Sequence, residues 1–414
     1  MQFPRIGPAL CLALLLMAVP VRAQSPGGSP PEEAMREYEA KLADYTKARQ
    51  EFDEQNRKYW GLVAEKRRIR NDKRSRQERV VAVDYVLDQP PVYSGPPRPI
   101  DPSAPPLPPQ APPVYSRTRP MGPSAPPLPP QATPVPRSIP VVADFLKAAA
   151  EHFDFVPQQP KTEIEYKKAY ARTAFAAGLT KDQVVRIYAF ESGGSGRYDV
   201  QAGLEYPKPD AKAVGTALGY NQLLTTNSVE LMAEKGDQFI KALQVRSSTL
   251  SGARKTALEH KIVVVSKMVE VSRHVPDTWS EHEKLGATPQ GLGIHATNLD
   301  VDVGPLLQTQ KLLDSVVFAR RKGHVRPLTA AELEMMNLTG DGNGYDVLTM
   351  PRALREQIPT ANLFQQTGYE RNSIANRNNT VSKLVAAIDR KMNEEVKLPG
   401  AKEMASAYRH LAEE

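Results

Sequence analysis

The chain has 414 residues, with 54 Lys+Arg against 47 Asp+Glu for a formal net charge of +7, and Cys11 is its single cysteine. That cysteine falls inside an apolar leader, so the mature chain is expected to have no thiol: disulfides, a cysteine nucleophile and thiolate metal ligands are excluded, and an ordinary apolar core must hold the fold. The basic excess suits an anionic partner, for which wall polymer, a membrane surface and nucleic acid all qualify.

Arg5 precedes an apolar run from Ala9 to Val19, and Val21-Arg22-Ala23 follow it before Gln24. A charged start, a short apolar middle and a small-residue exit describe a secretory signal peptide over 1–23, cut after Ala23. The run stops well short of the roughly 20 apolar residues of a membrane-spanning helix, so no transmembrane segment is expected in the mature chain. Removing Arg5 and Arg22 lowers the charge to +5. Export to the periplasm or the medium demotes nucleic acid as a partner.

Residues 32–82 are charged and free of proline, with Gly61 as the sole glycine. Tyr38, Tyr45, Phe52 and Tyr59 recur every seven residues, with Met35, Leu42 and Val63 on the complementary position and Arg49 and Asn56 interrupting it. This predicts one long coiled-coil-like helix burying an aromatic stripe on a partner helix, and hence a homo-oligomer through 32–82; a helix folded back on the globular part is the competing arrangement. Lys66, Arg67, Arg68, Arg70, Lys73, Arg74, Arg76 and Arg79 would surround the axis of such a helix, which reads as a solvated segment.

Residues 83–140 form a proline-rich linker. Within it Pro90–Ala111 (PPVYSGPPRPIDPSAPPLPPQA) is copied as Pro112–Ala132 (PPVYSRTRPMGPSAPPLPPQA). Proline at this density favours an extended spacer of about 3.1 Å per residue, with docking to a proline-reading domain as the alternative.

From 141 to 414 the composition turns globular. Helical periodicity appears over 141–155, 163–177, 181–191, 228–243, 253–273, 305–321, 330–336 and 380–391, and strand signals are nearly absent, which predicts an all-α domain. Thr180 with Gln183 makes a capping box for the helix beginning at Lys181. Val184, Val185, Ile187, Tyr188 and Phe190 make that helix more apolar than a surface helix needs to be, and it closes on Glu191-Ser192-Gly193-Gly194. A carboxyl leaving a buried helix at a glycine turn has its charged form disfavoured and its pKa raised toward the range useful for proton donation.

Ala189-Phe190-Glu191-Ser192-Gly193-Gly194 resembles the Glu-Ser motif of the soluble lytic murein transglycosylases, which have a lysozyme-like helical catalytic domain. Gly215-Thr216-Ala217-Leu218-Gly219-Tyr220-Asn221-Gln222 resembles that family's Gly-Ala-x-Gly-Leu-Met-Gln segment, Met336-Asn337-Leu338-Thr339-Gly340 its Tyr-Asn-Ala-Gly segment, and Gly368-Tyr369-Glu370-Arg371-Asn372 its Gly-Tyr-Val-x-Asn segment. The matches fall in family order between Thr180 and Asn372. Several departures mark a divergent member: 31 residues separate Glu191 from Gln222, Tyr220-Asn221 stand for Leu-Met, Met336 stands for a tyrosine, and a charged insertion runs from Gln244 to Thr297.

The resemblance implies a peptidoglycan lyase that cleaves the bond between N-acetylmuramic acid and N-acetylglucosamine in glycan strands. Glu191 acts as acid and then base, and the muramoyl 6-hydroxyl closes on C1 to leave a 1,6-anhydro end. It further implies that Tyr369 lies beside Glu191 and that Ser192, Gly219, Tyr220, Gln222 and Asn337 contact substrate. Asp199, Glu205 and Asp210, in the inserted loop, are candidates for the second carboxylate of a lysozyme-like hydrolase, and a non-catalytic wall-binding scaffold is the remaining alternative. No cofactor is expected, nor a metal site: the histidines are scattered, and Asp341–Asp346 lacks the glycine and glutamate of a calcium loop and reads as a turn.

Overall fold

The computed structural model describes residues 32–103, 139–204 and 212–413, so the signal peptide, most of the proline-rich repeat, Glu205 and Asp210 lie outside the described residues. These residues are all-helical, with isolated bridges in place of strands. None of their helices is long and apolar enough to cross a membrane. Two compact units divide the chain: 1–55 with 92–124, and 56–91 with 125–414.

Helix α1 (Glu32–Ser75) contributes to both units. In the smaller one, Tyr93 sets its ring edge-on to Tyr45 and Phe52, with centroids 6.3 and 5.5 Å apart. The Arg49 guanidinium lies over Phe52 and Tyr93, adding a cation–π contact. Two rings of the heptad stripe thus meet a residue from the start of the proline-rich segment of the same chain.

In the larger unit α1 buries Tyr59, Trp60, Val63 and Arg70. This corrects the expectation of a solvated basic run and of a spacer starting at 83. Arg70 is fully buried, donating to the carbonyls of Asp84 and Asn362 at 2.9 and 2.8 Å while its guanidinium lies 4.5 Å over the Tyr85 ring. Lys73 pairs with Asp84, and Arg74 with Asp346. The backbone of Val86 exchanges two hydrogen bonds with the Asn362 amide. A planar guanidinium with several fixed donors can satisfy carbonyls that apolar packing leaves bare, which is why arginine in particular becomes core here. Arg68, Arg76 and Arg79 remain exposed.

The rest of this unit follows as α2 (Val142–Phe153), α3 (Glu163–Ala176), α4 (Lys181–Ser192), α5 (Thr225–Ser248), α6 (Gly252–Ser272), α7 (Trp279–Gly286) and α8 (Pro289–His295). Then come α9 (Gly304–Arg321), α10 (Ala330–Thr339), α11 (Asp341–Thr349), α12 (Arg352–Gln357), α13 (Gln366–Arg371), α14 (Ser373–Arg377), α15 (Val381–Glu395) and α16 (Pro399–Glu413). The segment 341–346, expected as a turn, opens α11. Its Gly344 is forced by packing, since a Cβ there would stand 2.4 Å from the Met336 Cα.

Helix α4 positions the site. It begins on the expected capping box, with Gln183 N–H donating to Thr180 Oγ1 at 3.2 Å and Thr180 N–H to Gln183 Oε1 at 2.8 Å. It packs against α10, α15 and α16, burying Val184, Val185, Ile187, Tyr188, Ala189 and Phe190. It ends on Gly193 and Gly194, both left-handed at φ 66° and 67°. Gly194 is irreplaceable on steric grounds as well: a Cβ would meet the Glu395 carbonyl at 2.4 Å.

Candidate active site

Glu191 occupies the last turn of α4 and is half-buried, with its carboxyl facing α10. Asn337 Nδ2 donates to Glu191 Oε1 at 3.0 Å. One helical turn before Asn337 stands Glu334, which sequence reasoning missed. It is fully buried, and its carboxyl is within hydrogen-bond reach of the Glu191 carboxyl. Apart from that contact, neither Glu334 oxygen makes a well-formed hydrogen bond to another residue among those described. Two carboxyl groups can bond to one another only if one of them carries a proton.

Burial pushes the Glu191 pKa up, and the hydrogen bond with Glu334, the charges of Lys391 and Lys311 and the Asn337 amide oppose it without cancelling it. Burial and then the neighbouring Glu191 charge hold Glu334 well above the ordinary carboxyl range. Both shifts favour the protonated form of each carboxyl, since taking a charge out of water and placing a like charge beside it both disfavour ionisation. Lys391 lies at the edge of the site, with its ammonium 4.1 Å from the Phe190 ring centroid and donating to the Phe190 carbonyl at 2.7 Å. The signal for Glu334 was its spacing from Asn337, since residues three apart share a helix face.

The other expected site residues divide. Ser192 adjoins Glu191, but its hydroxyl donates back to the Tyr188 carbonyl at 2.6 Å and so closes the helix. Gly219 is left-handed at φ 83°, and a Cβ on it would strike the Gln308 amide at 2.5 Å. Tyr220 is fully buried, hydrogen-bonded through its hydroxyl to Glu163 and ringed edge-on by Tyr166, Tyr170 and Tyr188. Gln222 adopts φ 46° and donates to the carbonyls of Val200 and Gly219 at 3.2 and 2.8 Å. These three residues serve the turn that carries them.

Tyr369 is not brought to Glu191: among the described residues no hydrogen bond joins them, and its ring packs on Trp60 and Phe364, with centroids 5.7 and 6.3 Å away. Trp60 of α1 and Phe364 give that ring an apolar seat. Asp199 pairs with Arg197 at 3.0 Å and stands near Glu163, away from the Glu191–Glu334 pair.

No family model, no curated protein and no solved structure matches this chain.

Proposed function

We propose that the protein is an exported peptidoglycan lytic transglycosylase. The observation that carries this reading is the enclosed Glu191 carboxyl at a glycine-closed helix end, held by Asn337 and kept in company with a second buried acid. A glycosidic acid must be protonated near neutral pH, and this environment disfavours its loss of the proton.

In the proposed reaction Glu191 gives its proton to the oxygen joining C1 of N-acetylmuramic acid to N-acetylglucosamine, and the C1–O bond breaks with the electron pair leaving on that oxygen. The Glu191 carboxylate then takes the proton of the muramoyl 6-hydroxyl, whose oxygen closes on C1. The acid is restored and the product is a 1,6-anhydro end. Asn337 orients Glu191 in both halves of the cycle. Glu334 keeps a proton of its own throughout and acts through Glu191, donating a hydrogen bond to the carboxylate at the midpoint.

The same geometry speaks against hydrolysis. Inverting glycosidases separate their two carboxyls by about 6.5–9.5 Å and retaining ones by about 5–5.5 Å, to place a water or a covalent intermediate between them. Carboxyls in hydrogen-bond contact leave room for neither, so Glu191 and Glu334 amount to a single acid–base centre.

The test incubates the purified full chain with peptidoglycan and identifies the soluble products by mass spectrometry. Anhydro-muropeptides from the wild type and none from Glu191→Gln are expected. Hydrated reducing ends would assign a lysozyme-like hydrolase, and no release from either protein would assign a scaffold without turnover.

A further inference from the structure

A cavity of about 340 Å³ opens between α5, α7, α9 and α10 and reaches Met336, the neighbour of Asn337. Its lining includes Glu230, Trp279, Lys311 and Asp341. Trp279, the first residue of α7, is 47% exposed, whereas the other tryptophan, Trp60, is buried at 9%. It comes from the charged insertion 244–297. A large flat indole left open to solvent on a cavity wall offers one face to a ring-shaped ligand, with its N–H free to bond at the rim.

Lys311 is the second unexplained group. It is half-buried on α9 and close enough to Glu191, Glu230 and Asp341 to act on the charge of all three. Yet it forms no ion pair among the described residues. A half-buried ammonium without an ion pair can take an anion from outside. Burial disfavours charge on Glu230 and Asp341, and their carboxyl oxygens can accept hydrogen bonds from sugar hydroxyls.

We propose that this cavity is a subsite for an acidic sugar, with the pyranose ring stacked on Trp279 and a carboxylate carried close to that ring bound by Lys311. The inference rests on the glycan-cleaving reading and specifies the substrate further. In peptidoglycan such a carboxylate has two sources: the lactyl group of muramic acid once its peptide is removed, or the peptide itself. If the lactyl group supplies it, an amide hydrolysis that strips the peptide must precede cleavage here.

The experiment uses the full chain carrying Glu191→Gln, so that ligand persists, and measures affinity by isothermal titration calorimetry, with Trp279 fluorescence beside it where that residue is kept, for three probes: neutral N-acetylglucosamine oligomers, peptide-free glycan and peptide-bearing glycan. Peptide-free glycan is expected to lose tenfold or more in affinity on Lys311→Met and to regain most of it with Lys311→Arg. Neutral oligomers should be indifferent to Lys311→Met, while Trp279→Ala weakens every probe. Tighter binding of peptide-free than peptide-bearing glycan assigns the lactyl carboxylate; the reverse order assigns the peptide. Retention of peptide-free affinity within twofold in Lys311→Met, or a Trp279 signal unmoved by any glycan while the wild type still releases anhydro ends, overturns the subsite and leaves the lyase standing. A wild type that neither binds nor cleaves removes both.

Discussion

Two clusters of buried carboxyls in the same unit are treated in opposite ways. Asp300, wholly buried, receives Lys261 Nζ at 2.9 Å and the backbone N–H groups of Gln158, Asp302 and Val303 at 2.8, 2.9 and 3.1 Å. Asp302 beside it takes Lys261 at 2.5 Å and Arg246 at 2.6 Å. Burial raises the Asp300 pKa as well, but there Lys261 is the first influence against it. Glu191 and Glu334 have one amide at hydrogen-bond distance and no cation in contact. The contrast separates architecture from chemistry: a carboxyl surrounded by cations and N–H donors is suited to hold helices together, whereas one that shares its place with a second acid and a single amide favours keeping a proton, and a retained proton can be delivered.

Substitutions should divide along the same line. The largest effect expected is on turnover: Glu191→Gln lowers the rate of anhydro-muropeptide release by at least about 100-fold, the low end of what a positioned acid–base group contributes, with no loss of urea stability. Lys261→Met should do the reverse, leaving Asp300 and Asp302 without their main partner at a cost of about 3–5 kcal/mol in urea unfolding.

The buried His295 gives a third measurement. It bonds Ser228 Oγ at 2.8 Å and the Thr216 carbonyl at 2.9 Å, and burial lowers its pKa to about 4. The folded chain therefore keeps it neutral while the unfolded chain takes up a proton near pH 6.5, so stability present above that pH falls as the solution is acidified toward 4. The loss expected is up to about 3 kcal/mol, and a His295→Gln variant should have a flatter profile in thermal melts over that window.

The smallest effect belongs to Glu334. Its pKa is raised in the folded chain, so its contribution is present at low pH and is lost as pH climbs through the folded value. Glu334→Gln removes that loss and should raise stability at pH 8 by about 1 kcal/mol, while lowering turnover through the loss of a proton partner.

Much of this was legible where the determinants are local. Thr180 with Gln183, the apolar run on α4 and the paired glycines after Ser192 are adjacent in sequence, and helix and acid were read from them directly. The longer helices were found by periodicity, except α16, which lies beyond the last range read from the sequence. Helices α7, α8 and α11 to α14 were not, because at five to nine residues they complete too few turns to show a period. Arg70 looked like one solvated charge among many, and only the fold brings Asp84 and Asn362 to it. Gly219, Tyr220 and Gln222 match a motif in spelling, yet Gln308 packs against Gly219, and the side chains of Tyr220 and Gln222 are occupied by Glu163 and backbone carbonyls. Glu334 was overlooked because, without a partner in view, an acid on an exposed-looking helix face resembles any surface glutamate.

The most direct test of the protonated pair is a pH titration of glutamate side chains labelled with carbon-13 at the carboxyl, followed by NMR. At pH 7 the wild-type chain should show a protonated carboxyl resonance that disappears from the Glu191→Gln/Glu334→Gln double variant. If every glutamate carboxyl resonance of the wild-type chain at pH 7 is that of an ionised carboxylate, the pair holds no proton and the account is wrong.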